Sequence, residues 1–374
     1  MISAQLRDAK VVVDLAALKH NFRTQLAQLP AGSQILPVVK ANAYGNGLVP
    51  VVNALKDEPA VGGFCVALLD EGLALRAAGV NQLTLVLGIT PVQYAPVAAR
   101  AGISLTVGDV AWLKAYLQLA QASQLTTPLK VHLGIDTGMG RIGFTDPAAL
   151  QEAVALLADP HFEFEGLFTH FATADSADDQ YFKAQVAKWQ AMLAVVKEKP
   201  RYVHAANSAT ALWHSDQVAV NYVRMGISLY GCNPSGRELT PTWSLQPVTS
   251  LEARLTFVKQ LKKGASVSYG ATHTAPTDEW VGTVPVGYAD GYPRSLSGGS
   301  VLINGQRCPI LGRICMDQFM VRLPQALPVG TKVVLIGKSG DAEITATDLA
   351  DRLGTINYEV LTGLSDRLAR EYRE

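Results

Sequence analysis

Lys40 closes an apolar run, Ile35-Leu36-Pro37-Val38-Val39, and a glycine-spaced polar stretch follows at once, Ala41-Asn42-Ala43-Tyr44-Gly45-Asn46-Gly47. An ammonium is seldom set at the end of a buried strand without a partner. Two physical readings of such a lysine exist. Its stem can simply cover apolar surface where the strand leaves the core, with the head in water. Alternatively its amine, partly desolvated and lowered in pKa, can form a Schiff base. Further polar clusters bear on the choice: Asp136-Thr137-Gly138-Met139-Gly140-Arg141, Thr169-His170-Phe171, His204-Ala205-Ala206-Asn207-Ser208 and Arg224-Met225-Gly226-Ile227.

The elements that would position these clusters are apolar β-type runs alternating with helical patterns. Strands are expected at 35–40, 64–67, 83–87, 104–107, 129–133, 164–169, 202–205 and 218–223, with helices such as 70–78, 110–120, 147–158 and 180–197 between them. Asp14 is placed to cap a first helix whose apolar face is Leu15, Leu18, Phe22, Leu26 and Leu29. Short, continuously apolar strands fit a parallel sheet buried on both faces. About eight strand–helix units match a (β/α)8 TIM-type barrel better than a doubly wound sheet. In such a barrel the chemistry lies at the C-terminal ends of the strands, and Lys40, Arg141, His170, Asn207 and Arg224 all follow strands there. The loops after the seventh and eighth strands, the usual phosphate site, offer Ser208 and Gly226, each of which alone would read as an ordinary helix cap or turn residue. A lysine and a phosphate cradle on one rim point to pyridoxal phosphate. Arg224, always protonated, would then keep the cofactor's pyridine nitrogen unprotonated and moderate its electron-sink character. Without a cofactor it would read as a surface ion-pair partner.

Beyond Cys232 the texture changes. Asn233-Pro234-Ser235-Gly236 reads as a linker, and alternating patterns at 250–258, 282–286, 300–303 and 332–336 follow, with Asn304-Gly305 a hairpin signal. The expected organisation is residues 1–13 as a strand pairing with the C-terminal domain, 14–236 as the barrel, and 237–374 as a mainly β domain with short helices at 347–353 and near 360–370. Within that domain Val267-Ser268-Tyr269-Gly270-Ala271 sets a tyrosine among small residues, an acid–base group if His204 or Arg141 lowers its pKa and a packing residue otherwise.

The bulk numbers narrow the function classes. Lys plus Arg and Asp plus Glu are both 32 in 374 residues, so a basic surplus for nucleic acid or membrane surfaces is missing. Four scattered cysteines, Cys65, Cys232, Cys308 and Cys315, read as free thiols of a reducing cytoplasm. Neither a signal peptide nor a spanning segment is legible. Clustered His and Cys ligands are missing too, so a metal site is not expected. Gly138-Met139-Gly140-Arg141-Ile142-Gly143 matches G-x-G-x-x-G, but Gly134-Ile135-Asp136-Thr137 separates it from its strand and Pro147 starts the helix late, unlike a dinucleotide fingerprint.

These stretches, together with G-R-I-C-M-D-Q at 312–318 and T-I-N-Y-E-V at 355–360, resemble the alanine racemases along nearly the whole chain. That family is pyridoxal-phosphate dependent and has a barrel-plus-β-domain fold. The resemblance implies that Lys40 carries the cofactor as a Schiff base and serves as the base for the D-enantiomer. Tyr269 from the other subunit of a homodimer would be the base for the L-enantiomer. Arg224 would face the pyridine nitrogen, and Tyr44, Ser208, Gly226, Ile227 and Tyr358 would surround the phosphate, with Asn207 and His170 supporting the cofactor. Arg141 and the Met316 backbone N–H would bind the substrate carboxylate, and Tyr288, Arg294, Arg313 and Asp317 would line the access channel. The implied activity is interconversion of L- and D-alanine by two bases on opposite faces, supplying D-alanine for peptidoglycan.

The chain departs from the family pattern at Gly134, where many members carry a carbamylated lysine whose charge lies beside the arginine matching Arg141. A bound anion or a neighbouring polar group would have to orient Arg141 instead. Asn46 and Asn42 stand where histidine and aspartate are common. Three alternatives remain in view: serine racemisation on the same scaffold, a related decarboxylase (which would carry a cysteine in place of Tyr269), and a non-catalytic cofactor carrier (which would lack the second domain).

Overall fold

A computed structural model describes residues 3–219 and 221–374; Met1 and Ile2 of the expected N-terminal segment and Val220 of the expected eighth strand lie outside the described residues. The chain divides into two compact units. One comprises the segments ending at Leu18, Tyr44–Gly47 and Gln246–Glu374, and the other Lys19–Ala43 and Leu48–Leu245.

The second of these units is the barrel. The strand β1 (Ala9–Asp14) precedes it in the chain, and its staves are β2 (Gln34–Pro37), β3 (Phe64–Val66), β4 (Thr84–Ile89), β5 (Ser104–Val107), β6 (Leu129–Ile135), β7 (Phe162–Thr169), β8 (Tyr202–His204) and β9 (Tyr222–Met225). β3 to β8 form one parallel sheet in chain order, and β2 pairs with β9 from Gln34↔Tyr222 to Pro37↔Met225. The parallel bridge Val38↔Cys65 joins β2 to the β3 side. The Arg224 N–H donates to the Ala206 carbonyl at 3.0 Å and joins β9 to the β8 side, so the eight staves close a ring. β3 and β5 are buried at every position, as strands covered on both faces must be. Helices start at side-chain caps: Asp109 accepts from Trp112 N–H, and Asp146 accepts from Ala149 N–H with Pro147 next in line.

Two local readings change. The eighth strand occupies Tyr222–Met225, not 218–223, because Gln34 sets the register at Tyr222 and buried Val218 belongs to the preceding turn. Arg224 is therefore a strand residue, pointing from the stave itself. The polar stretch after Lys40 is no loop: Ala41, Asn42, Ala43 and Tyr44 hold φ of 53° to 54°, one left-handed helical turn. L-residues pay about 1–2 kcal/mol each for that conformation. The turn is held from outside. The Ala41 N–H donates to Glu71 Oε1 at 2.7 Å, and Asn42 Oδ1 accepts from the Leu48 N–H at 2.8 Å.

The other unit is built on a ten-stranded sheet. Its path runs Phe257–Leu261, Glu279–Val284, Phe319–Leu323, Gln306–Leu311, Ser300–Ile303, Lys332–Ser339, Thr249–Arg254, β1, Ala369–Arg373, and the tenth strand, Ala342–Ile344, pairs with Lys332–Ser339 off this path. β1 is antiparallel to Thr249–Arg254, with Val11 opposite Leu251, and parallel to the C-terminal strand. Asn304 and Gly305 turn the hairpin at φ of 48° and 80°, the positive pair that a type I′ turn demands. The helix expected near 360–370 is corrected: it spans Asn357–Gly363, and Ala369–Arg373 is a strand. Ala-Arg-Glu-Tyr-Arg has no apolar helical stripe, whereas the exposed edge of β1 offers it a full ladder of backbone partners.

Strain in the left-handed turn is testable at exposed Ala41, where a larger side chain meets little else. Ala41→Gly should leave the urea midpoint nearly unchanged, since relief of strain offsets the added freedom of the unfolded chain. Ala41→Val, β-branched in the left-handed region, should lower stability by about 1–2 kcal/mol. Equal midpoints for the two variants would show that the turn is not maintained.

Candidate active site

In the barrel unit, Lys40 stands three residues past β2, immediately before the left-handed turn. Burial lowers its pKa, the charge of Arg141 lowers it further, and Glu71 and Cys65 act in the opposite sense. Glu71 is well placed to do so: one carboxylate oxygen takes the Ala41 N–H and the other takes the N–H groups of Ala67 and Leu68.

Arg224 is 3% exposed and surrounded by acceptors. One guanidinium nitrogen donates to His204 Nδ1 at 2.6 Å and to the His204 carbonyl at 2.9 Å. The other donates to the carbonyls of Thr169 at 2.7 Å and Ala205 at 3.1 Å and faces His170 Nδ1 at 3.4 Å. Its carbon lies 5.4 Å from the centre of the Phe168 ring. Burial lowers the guanidinium to about 10, which still leaves it cationic at neutral pH. Burial, aided by Arg224, Arg141 and Lys40, pushes His170 down to about 3, so its ring is neutral. Lys40, Arg141, His170 and Arg224 thus share one electropositive neighbourhood.

Ser208 and Gly226 do meet: the Gly226 N–H donates to Ser208 Oγ at 2.9 Å. The expected helix-cap role of Ser208 is corrected. Asn207 is the cap of Ser208–Trp213, its Oδ1 accepting from the Thr210 N–H at 2.9 Å while its Nδ2 donates to the Phe171 carbonyl at 3.3 Å. With the helix capped by the Asn207 amide, the Ser208 hydroxyl is left to join the end of the loop after β8 to the loop after β9. Ile227 is buried at the start of Ile227–Tyr230, whose Tyr230 hydroxyl donates to the Val38 carbonyl at 3.0 Å.

Arg141 is exposed on a loop folded over Asp136, which accepts from the N–H groups of Gly138 at 2.9 Å and Gly140 at 3.0 Å. No side chain among the described residues hydrogen-bonds its guanidinium. The following helix opens only at Pro147, so the glycine-rich stretch has no dinucleotide geometry. A Cβ added at Gly134 would lie in ordinary contact with the Phe168 ring, 3.5 Å from Phe168 Cζ.

In the other unit, Tyr44 and Tyr358 have ring centres 6.1 Å apart, tilted by 47°. Tyr269 is 70% exposed on a backbone of positive φ at Ser268 (68°), Gly270 (76°) and Ala271 (45°). Ser268 Oγ anchors that loop on the Arg313 carbonyl at 2.6 Å, and the Arg313 side chain lies against Gly270. The Met316 carbonyl accepts from the Ala289 N–H at 3.0 Å, and Cys315 likewise takes the Tyr288 N–H. Gly287 packs so tightly on Cys315 and Met316 that a side chain there would collide with their carbonyls. Arg367 pairs with Asp317 at 2.6 Å, and buried Asp290 takes both ends of the Arg7 fork at 2.6 and 3.0 Å. Arg294 opens the short turn Arg294–Leu296.

Sequence reasoning missed the residues behind Arg224. His204 is wholly buried and engaged with Arg224 and His132, so it is not available to tune Tyr269. His132 in turn meets Glu165, which also binds Lys130 and Ser104. The only signal was polar residues inside otherwise apolar staves. Glu71 was missed as well, as it reads as an ordinary first-turn carboxylate.

A family profile described as the N-terminal domain of alanine racemase matches residues 13–234, and one for its C-terminal domain matches residues 248–372. An alanine racemase of Limosilactobacillus reuteri is 60% identical over 374 residues, covering all of both chains. The crystal structure of alanine racemase from E. faecalis superposes with a TM-score of 0.96 at 46% identity, again over both whole chains. A histidine racemase from Leuconostoc mesenteroides also matches over both whole chains, with a TM-score of 0.94 at 34% identity. With both domains matched in order and close relatives covering its full length, the chain belongs to the alanine racemase family.

Proposed function

We propose that this protein interconverts L- and D-alanine with pyridoxal phosphate as its cofactor, acting as a cytoplasmic homodimer. The observation that carries the reading is the buried, cationic Arg224, aimed by five acceptors, whose charge acts together with that of the partly buried Lys40 on His170 and Cys65. The residues fit the cofactor. A lysine of lowered pKa can condense with its aldehyde, and two arginines give the neighbourhood the positive potential an anion needs. Ser208 and Gly226 supply a hydroxyl and a backbone N–H on the loops after the last two barrel strands, where a phosphate would lie. Tyr44 and Tyr358 would close over the phosphate, and Ile227, Asn207 and His170 would support the group.

Bound there, pyridoxal phosphate would acidify the α-proton of an amino acid attached to it. Lys40 Nζ, its neutral form favoured by burial, would take or return that proton on one face. The Tyr269 hydroxyl of a second copy of the chain would do so on the other. A 70% exposed tyrosine on a strained, anchored loop suits presentation to another subunit. Arg141 and the Met316 N–H would hold the carboxylate. Arg224, cationic at neutral pH, would give the pyridine nitrogen no proton. Neutral His170 would add no further positive charge. A cytoplasmic setting agrees with four cysteines that are all free.

Incubation with L-alanine, L-serine or L-histidine, followed by D-amino-acid oxidase, should give D-product chiefly from alanine. Yellow, cofactor-loaded protein yielding no D-alanine would refute the proposal, and faster turnover of histidine or serine would reassign the substrate. Lys40→Ala should lose the cofactor that borohydride fixes to the wild-type chain. Tyr269→Phe should keep the colour and lose at least about a hundred-fold in rate, the usual worth of a general base; full activity in that variant would remove Tyr269 from the mechanism.

A further inference from the structure

The barrel interior contains a line of polar side chains that proton transfer at the substrate does not use. From Arg224 on β9 it passes to His204 on β8, whose Nε2 lies 3.0 Å from His132 Nδ1 on β6. His132 Nε2 lies 3.1 Å from Glu165 on β7, and Glu165 ends the line with Lys130 at 3.1 Å and the hydroxyl of Ser104 on β5. His132, His204 and Glu165 are all buried. The rings are stacked in place: His204 lies 5.1 Å from Phe168 at 2°, and His132 lies 5.8 Å from Tyr202 at 24°. Gly166 makes room, since any side chain there would collide with the His132 ring.

The donors run in one direction. Arginine can only donate, so His204 Nδ1 must accept. Burial, joined by the charge of Arg224, drives His204 well below its ordinary pKa, so the ring is neutral and its proton sits on Nε2. That proton is donated to His132 Nδ1, and His132, also lowered by burial, donates from Nε2 to Glu165. His132, Ser104 and Lys130 hold the Glu165 carboxyl below its ordinary range against the effect of its burial. A fixed cation and a fixed anion are thus joined by two neutral imidazoles.

We propose that Glu165 is a positioning residue for Arg224, fixing through His132 and His204 both the orientation and the charge of the guanidinium. The proposal rests on the reading of Arg224 as the group that faces the pyridine nitrogen. Its first test needs no variant and no bound cofactor. In ¹⁵N-histidine-labelled wild-type protein at neutral pH, both buried rings should be neutral with the proton on Nε2. A proton on Nδ1 of either neutral ring, or an imidazolium, would overturn the relay.

The second test is a double-mutant cycle. Glu165→Gln should lower kcat about ten-fold, the scale seen when a supporting outer contact is lost, with KM changed less than two-fold. It should also shift the pH dependence of the bound cofactor's visible spectrum. In an Arg224→Met background the same substitution should change kcat less than two-fold, because the pair acts as a unit. A ten-fold loss in both backgrounds would mean that Glu165 merely supports the fold, and no loss in the wild-type background would mean that it does not act through Arg224. Wild-type protein without racemase activity would refute the proposed function and leave the tautomer result standing. Wrong tautomers in an active wild-type enzyme would sink the relay alone.

Discussion

Burying one guanidinium governs much of the barrel. An ion taken out of water costs several kcal/mol even after relaxation, unless its donors are satisfied and its charge is balanced. Arg224 meets both demands with main chain and with distance. Carbonyls of Thr169, His204 and Ala205 converge on it from the ends of β7 and β8, so those two strands are fixed relative to β9 by the same side chain. Phe168 lies against its face, and the same ring lies flat on His204. Moving any one of these groups would leave a buried donor without a partner, which costs more than the bond itself contributes.

Lys40 is placed by a second constraint of comparable severity. Four consecutive non-glycine residues in the left-handed region persist only where neighbours over-determine them. Glu71 supplies part of that determination, because the carboxylate that organises the start of the helix Leu69–Ala77 also takes the first N–H of the turn. Helix start and lysine position are therefore one problem. The cost of the strain is local, and its effect is an amine held where burial and the charge of Arg141 lower its pKa and the charge of Glu71 raises it. A flexible glycine loop at 41–44 would relieve the strain and lose the placement.

What was legible in the sequence follows from what these constraints look like in one dimension. Parallel staves buried on both faces read as unbroken apolar runs, so the barrel and its polar rim could be read directly, as could the Asn304-Gly305 hairpin. The left-handed turn could not, because Ala-Asn-Ala-Tyr contains none of the glycines that normally signal positive φ. The strand Ala369–Arg373 was hidden by its charges, since an edge strand is defined by the backbone it joins and not by its own pattern. Asn207 and Ser208 are adjacent and both able to cap, and only the position of Gly226 assigns one to the helix and the other to the loop. His132 and Glu165 lie 33 residues apart, and their contact depends on the register of β6 against β7, with a shift between Val131 and His132.

The relay also bears on why the counter-charge of Arg224 is remote. A carboxylate in direct contact with the guanidinium would balance it at lower structural cost, with one bidentate pair in place of two imidazoles, a glycine and two stacking rings. Such a carboxylate would also be an acid–base group at the face of the barrel where the cofactor's nitrogen would lie, and it could deliver or accept a proton there. With two neutral rings in between, the negative charge still compensates the buried cation, while the guanidinium itself, which does not readily give up its proton, has the neutral His170 beside it. The distance separates two roles that a single close ion pair would combine, stabilising a charge and controlling a proton. The need to hold Arg224 charged without supplying an acid then accounts for polar residues on four of the barrel's staves, at positions where packing alone would favour valine or leucine.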